Sequence, residues 1–320
     1  MTVLVIGSSG YLGEYVVDEL LERGHDVVGF DLQRGEADAA REDAQYTFER
    51  GDMTSFADLS AAVLAHDVSE VVQFAYFGTA ENGLLDSAEG DPYHASNTNV
   101  SGFNNVLEAA QQFDLTLVWA SSTVVYGGPD YYADLGIDTV DEESPTAPES
   151  LYGSCKVHNE YLAAMYAEQY DLDIAGIRLP LIYGPRRYPG AQPFIVDMFE
   201  AVAAGRQIDL DGGDTVWDLL YERDIGLLFA SVLEAGDFDH AVYNVPGHTV
   251  TVRELASLAE SEAPAPASVS VADGDDAVLP APLSDERFRS EFAFRPSYDA
   301  DRAVADYIDT LTSDSTPNDT

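Results

Sequence analysis

The chain has 320 residues, 46% of them hydrophobic, with 58 acidic side chains against 15 basic ones and a formal net charge of −43 at pH 7. That length holds one large α/β domain or two lobes around ordinary cores, and a charge of this sign makes nucleic acid, itself a polyanion, an unfit partner. No apolar run approaches the roughly 20 residues that cross a bilayer, and no basic, apolar-cored leader precedes the first strand pattern.

Val3, Leu4, Val5 and Ile6 form a short apolar run that ends in Gly7-Ser8-Ser9-Gly10-Tyr11-Leu12-Gly13. Val16, Val17, Leu20 and Leu21 then share one helical face. Residues 27–31 read as a second buried strand closed by Asp31, and strand-like runs recur at 46–49, 71–74, 116–120 and 174–178. Helical patterns fill the gaps over 55–65, 97–112 and 152–170. Buried strands alternating with helices predict an α/β fold with a parallel, doubly wound sheet. Beyond Pro180 the pattern loosens into a helix over 194–204, a strand at 219–221, a helix over 224–234 and a short strand at 242–244. A helix over 252–260 follows, which Thr251 could cap. Residues 263–267, rich in Ala and Pro, read as a turn or linker, and 313–320 as a frayed polar tail.

Gly7-x-x-Gly10-x-x-Gly13 lies between a strand and a helix, the context in which a backbone holds a pyrophosphate. Glycines let the chain turn tightly and approach the phosphates, and the helix N-terminus supplies amide donors. The spacing is GxxGxxG rather than GxGxxG, a weak signal alone that Asp31 at the end of the next strand strengthens. A carboxylate there accepts both hydroxyls of an adenosine ribose and repels a 2′-phosphate, which favours NAD over NADP. Arg34, close by in a polar loop, keeps NADP open.

Lysine occurs once in the chain, as Lys156, one helical turn after Tyr152. Arginine would serve equally as a surface charge, whereas a compact ammonium acting on a neighbouring phenol is not replaceable. A free phenol, with a pKa of about 10, is a poor base at neutral pH. A nearby positive charge favours the phenolate and fits Tyr152 for proton abstraction. Ser122 follows the apolar run 115–120 at the C-terminal end of a strand, where ligands bind in such sheets. Its hydroxyl can hold a substrate oxygen beside Tyr152; taken alone, it is equally a hydroxyl that caps the next turn. The six histidines are scattered without ligand spacing, so no metal is expected. The single cysteine, Cys155, excludes an internal disulfide and fits a reducing cytoplasm. The carboxylates are spread along the chain, where they would repel one another at ordinary salt. In molar salt, with a Debye length of about 3 Å, that repulsion is largely screened, and the composition resembles that of halophile proteins.

These residues, with Gly51-Asp52-Met53, Asn99-Val100-Ser101-Gly102, Val125-Tyr126-Gly127 and Tyr183-Gly184-Pro185, stand in the order found in extended short-chain dehydrogenases/reductases. The chain resembles that family, the NAD-dependent epimerases/dehydratases, over essentially its whole length. The resemblance implies a Rossmann-like doubly wound parallel sheet with a smaller C-terminal α/β substrate lobe, NAD as cofactor and a homodimer. It implies that Ser122, Tyr152 and Lys156 are catalytic, with Lys156 and Tyr152 also on the nicotinamide side of the cofactor. Gly7, Gly10, Tyr11, Leu12 and Gly13 would surround the dinucleotide and Asp52 and Met53 would flank the adenine. Phe74 and Ala75 would line the dinucleotide, Asn99 would brace the active site, and Pro180 would lie against the nicotinamide. The expected division is 1–180 for the NAD domain, with 215–235 packing back onto it, and 181–312 mainly for the substrate lobe.

Family members remove hydride from a secondary alcohol while the tyrosine takes the hydroxyl proton; they differ in the fate of the oxidised intermediate. Dehydratases carry an Asp-Glu pair after the active hydroxyl, where this chain has Thr123-Val124, so dehydration is not expected. Nucleotide-sugar enzymes of the family place an asparagine where Leu181 stands and an arginine where Trp217 precedes Asp218. No arginine lies between Glu254 and Glu286, where a second diphosphate contact would be expected, although Arg186-Arg187 could compensate. Tyr76, Phe77, Tyr93, Tyr131 and Tyr132, on the loops 76–93 and 127–151, could stack on a polyol or pin those loops. The expected function is epimerase-class oxidation of a secondary alcohol on a sugar-like substrate. The alternatives are a dehydrogenase of a free sugar, sugar acid or hydroxy-amino acid, and a non-catalytic NAD-binding regulator. The complete Ser122, Tyr152 and Lys156 set argues against the last.

Overall fold

The computed structural model describes residues 1–314 apart from 42, 80, 81, 189 and 191. Its strands are β1 (Thr2–Ile6), β2 (Asp26–Asp31), β3 (Tyr46–Arg50), β4 (Glu70–Gln73), β5 (Thr116–Ser122) and β6 (Ile174–Leu179), followed by β7 (Leu181–Tyr183), β8 (Gln207–Leu210), β9 (Val216–Tyr221), β10 (Val242–Asn244), β11 (His248–Thr251) and β12 (Ser268–Val271). Seven of them form one parallel sheet in the order β10-β6-β5-β4-β1-β2-β3. The order runs outward in both directions from β1, so the C-terminal ends of β1 and β4 flank the switch point at which such sheets bind ligands.

Strand alternation divides the sequence between two cores. Val3 and Val5 of β1 and Val118 and Ala120 of β5 face one side. Leu4, Ile6, Leu117 and Trp119 face the other. The first face is covered by the helices Gly13–Glu22 and Asp224–Leu233, through Val16, Val17, Leu20, Leu228 and Phe229. The second is covered by the helices Phe56–His66, Phe103–Phe113 and Leu151–Tyr170. Of the helical stripe Val16, Val17, Leu20 and Leu21, the first three are buried completely and Leu21 partly.

A third core joins β7, β9 and the helices Phe194–Ala203, Val252–Ser261 and Ala300–Asp314. Here β11-β9-β7 forms a three-stranded sheet and β12-β8 a parallel pair. Thr251 caps the Val252–Ser261 helix: its hydroxyl accepts from Glu254 N at 3.1 Å, and the Glu254 carboxylate accepts from Thr251 N at 2.8 Å. Elements beyond 267 were not expected from the sequence. The last helix buries Ala303, Val304, Tyr307 and Ile308, a helical spacing diluted by acidic neighbours. Ser313 and Asp314 end that helix, and the rest of the expected polar tail lies outside the described residues. The helix expected over 97–112 begins instead as a wide π turn, Asn97–Gly102, before the regular Phe103–Phe113 segment. Such widened turns are frequent at functional sites, and this one carries Asn99. Among the described residues no helix is long and apolar enough to cross a membrane.

Candidate active site

The glycine turn follows β1. Gly7 has φ +88°, and a Cβ there would fall 2.7 Å from Ala75 N; one on Gly13 would fall 2.1 Å from Gly7 O. Only glycine permits this compact turn with the next helix starting on top of it. Gly10 N donates to Gly7 O at 3.1 Å, closing the loop. Tyr11 and Leu12 line the neighbouring cavity, as do Phe74 and Pro180. Phe74 packs on Phe229 at 4.4 Å, and both Phe74 N and Ala75 N donate to Ile6 O, which sets Ala75 against the glycine turn.

Asp31 closes β2 with its carboxylate turned onto the same turn: it accepts from Ser9 N at 3.2 Å and Leu32 N at 2.7 Å. Burial outweighs these bonds and raises its pKa. Beside it lies Asp38, which the sequence reading missed. It is fully buried and bonded to Arg41 at 2.7 Å, to Gly35 N at 3.2 Å and to the hydroxyls of Ser9 and Tyr46. Arg34 donates to Asp38 O at 2.9 Å. Asp31, with the nearby arginines engaged, fits a ribose diol and opposes a 2′-phosphate, while the buried Asp38 braces the turn beside it.

Asp52 and Met53 take other roles than direct contact with the cavity. Asp52 accepts from Thr54 N and Thr54 Oγ1, both at 2.8 Å, and so caps a turn. Met53 is 4% exposed and packs in the second core against Gly102. Asn99 is buried; its Oδ1 accepts from Phe77 N at 2.7 Å, and its carbonyl accepts from Asn159 Nδ2 at 2.8 Å. It thereby ties the segment after β4 to the long Leu151–Tyr170 helix.

Ser122, at the end of β5, accepts from Val124 N at 3.4 Å and also lines the cavity. The capping that its position suggested is present together with access to the site. Tyr152 stands in the first turn of the long helix, which Ser150 caps by accepting from Gly153 N at 3.0 Å. A Cβ on Gly153 would fall 2.4 Å from Val124 O, so glycine lets this helix close on the turn after Ser122 and brings Tyr152 to the same cavity.

Lys156 is fully buried. Its Nζ donates to Ala120 O and sits 3.0 Å from the ring centroid of Tyr76 and 5.2 Å from that of Tyr152. Burial pushes the lysine well below the usual ammonium range, against the pull of Glu160. Burial likewise raises the Tyr152 phenol, with Cys155 adding to the effect. Burial thus moves the phenol opposite to the lowering expected from Lys156, whose ammonium donates to a carbonyl and lies over a second aromatic ring.

Behind this pair lies a buried polar network that the sequence reading missed. Arg178 of β6 pairs with Glu160 of the long helix at 2.7 and 2.9 Å and donates to Tyr126 Oη at 2.6 Å. Ser121 donates to the same carboxylate at 2.6 Å. An arginine within the wholly buried strand Ile174–Leu179 was the available signal. Removing one partner strands a buried charge, so Arg178→Met is expected to cost about 3–5 kcal/mol in denaturant unfolding. Arg178→Met combined with Glu160→Leu is expected to recover most of that loss. Glu222, also missed, is buried after β9 and accepts from the hydroxyls of Tyr11 and Tyr15, the latter at 2.6 Å. It fastens the glycine turn to the third core.

The cavity, of about 490 Å³, has Ser122 and Tyr152 on one wall and Leu84, Leu181, Trp217, Val278 and Leu279 on another. Arg187 reaches it and donates to Ile182 O at 2.6 Å. Arg186 instead pairs with Glu14 and lies over the Tyr15 ring. Of the loop aromatics, Tyr76 lines the cavity, and Tyr132 pins its loop by donating to Pro145 O at 2.9 Å.

The family model described as "NAD dependent epimerase/dehydratase family" matches residues 3–245. A UDP-glucose 4-epimerase of Mycolicibacterium smegmatis is 34% identical over 224 residues, 67% of this chain and 68% of that protein. The structure of Thermus thermophilus UDP-glucose 4-epimerase in complex with NAD superposes with a TM-score of 0.77 at 25% identity, covering 97% of this chain and 99% of that one. L-threonine dehydrogenase from Clostridium difficile shares the fold, with a TM-score of 0.81 at 22% identity over 98% of each chain. A glycine turn facing a strand-end carboxylate, a serine and a Tyr-x-x-x-Lys helix meeting at one cavity, and a matching model over most of its length all agree: the chain belongs to the NAD-dependent epimerase/dehydratase family.

Proposed function

We propose that the protein is an NAD-dependent, epimerase-class enzyme that oxidises a secondary alcohol of a sugar-like substrate. The observation that carries this reading is the convergence of Ser122 and Tyr152 on one cavity wall, with the buried charge of Lys156 behind Tyr152. The glycine turn and Asp31 fit the dinucleotide, whose nicotinamide, when bound, accepts hydride from the carbinol carbon. Tyr152 takes the proton of the substrate hydroxyl, Ser122 orients its oxygen, and the positive charge of Lys156 favours the phenolate. The acidic composition supports work in molar salt, and a homodimer is the assembly that the family resemblance implies.

A dehydrogenase that releases NADH is the second reading. It is favoured by the apolar lining of Leu181, Trp217, Val278 and Leu279, which leaves a diphosphate Arg187 as the cationic side chain at the cavity. Purified protein in molar salt, given NAD and a panel of sugars, sugar acids and nucleotide sugars, separates the two. Isomerised product without net NADH is the expected result, and net NADH would favour the dehydrogenase. NAD binding without turnover of any compound would return the chain to a regulator.

A further inference from the structure

Lys156 is a buried ammonium in a chain with 58 acidic residues, yet no carboxylate among the described residues lies within ion-pair distance of it. The nearest acid on its own helix, Glu160, spends both oxygens on Arg178 and Ser121. The groups that face Nζ are neutral: the Ala120 carbonyl, the Tyr76 ring at 3.0 Å, the Tyr152 ring at 5.2 Å and the Trp119 ring at 5.7 Å. Cys155 is the remaining titratable neighbour on the helix. Tyr76 comes from the segment after β4 and stands edge-on to Tyr152, with ring centroids 6.0 Å apart and planes at 86°. Its hydroxyl is buried and faces the Asn159 side chain without forming a regular hydrogen bond, so a strong bond of that group does not hold the ring in place.

We propose that Tyr76 is a positioning residue whose ring face serves as the counter-surface of the Lys156 ammonium, keeping it charged and held beside Tyr152. An aromatic face attracts a cation most strongly where water is excluded. Unlike a carboxylate, it leaves the positive charge uncancelled, so the field still reaches the phenol. The contact is made by the ring, not the hydroxyl, which makes Tyr76→Phe the conservative variant and Tyr76→Leu the disruptive one. Leucine fills the space and excludes water but carries no π face.

The proposal rests on Tyr152 and Lys156 being the acid–base pair, but it can be read without turnover. Because the chain has one lysine, protein labelled with ¹⁵N at lysine Nζ gives a single side-chain amine resonance, whose pH titration belongs to Lys156. Tyr76→Phe is expected to titrate with the wild type, and Tyr76→Leu about one pH unit lower. The alkaline fall of kcat should move with the resonance. Tyr76→Met, read in the same way, replaces the leucine variant if that one does not give the wild-type near-ultraviolet circular dichroism. An unchanged or raised midpoint in the leucine or methionine variant would overturn the proposal. So would a Tyr76→Phe midpoint that falls as far as theirs, since the hydroxyl would then be the active part. Variant midpoints that behave as expected in a protein with no turnover would leave Tyr76 its role and remove the proposed function instead.

Discussion

Tyr152→Phe is expected to lower kcat by a factor on the order of 10²–10⁴, the usual contribution of a positioned acid–base group, while NAD affinity stays within about threefold, a change of well under 1 kcal/mol. Tyr152 is 5% exposed and sits between the Thr123–Val125 turn and the Tyr76 ring, so phenylalanine keeps its packing and loses only the proton acceptor. Titration of intrinsic fluorescence with NAD, alongside steady-state turnover, reads the two quantities separately. Loss of both together would mean that the phenol builds the site rather than serving it.

Lys156→Arg is expected to lower kcat/KM by a factor on the order of 10² or more, though it conserves charge; small misplacements of catalytic groups cost this much. A guanidinium brings five donors in a rigid plane to a pocket where, among the described residues, Ala120 O is the one acceptor that holds Nζ. It is also larger than the ammonium that fits between the Tyr76 and Trp119 rings. The charge would survive but stand in another place. Melting temperature measured beside kinetics distinguishes a displaced charge from a collapsed core, and full activity would return the lone lysine to coincidence.

Much of this was legible in the sequence because it depends on local patterns. The apolar run of residues 3–6 marks a buried strand, and the fold puts Val3 and Val5 on one face and Leu4 and Ile6 on the other. The one-turn spacing put Tyr152 and Lys156 together, and a strand-end position brought Ser122 to them. The parts that stayed hidden depend on pairing across the chain. Glu160 and Arg178 are 18 positions apart, and Tyr11 meets Glu222 across 211; neither pair has a local signature. Asp38 looked like one more surface acid among many until the fold closed Ser9, Arg41 and Tyr46 around it. Tyr76 was read as one of several loop aromatics, and its place over Lys156 is set by how the segment after β4 passes the long helix. The burial of Tyr152 and Lys156, which opposes the charged form of both, is likewise a tertiary property that spacing does not carry.

The central claim is that substrate oxidation by NAD occurs at the cavity shared by Ser122 and Tyr152. Its most direct test is the absorbance of reduced nicotinamide in a single turnover, with wild-type and Tyr152→Phe protein side by side in molar salt on a substrate found in the panel. A reduced-nicotinamide signal that forms in the wild type and is absent or slowed at least about 10²-fold in the phenylalanine variant is the result predicted here. Product formation with no reduced nicotinamide at any time, or a signal of equal rate in both proteins, would contradict it.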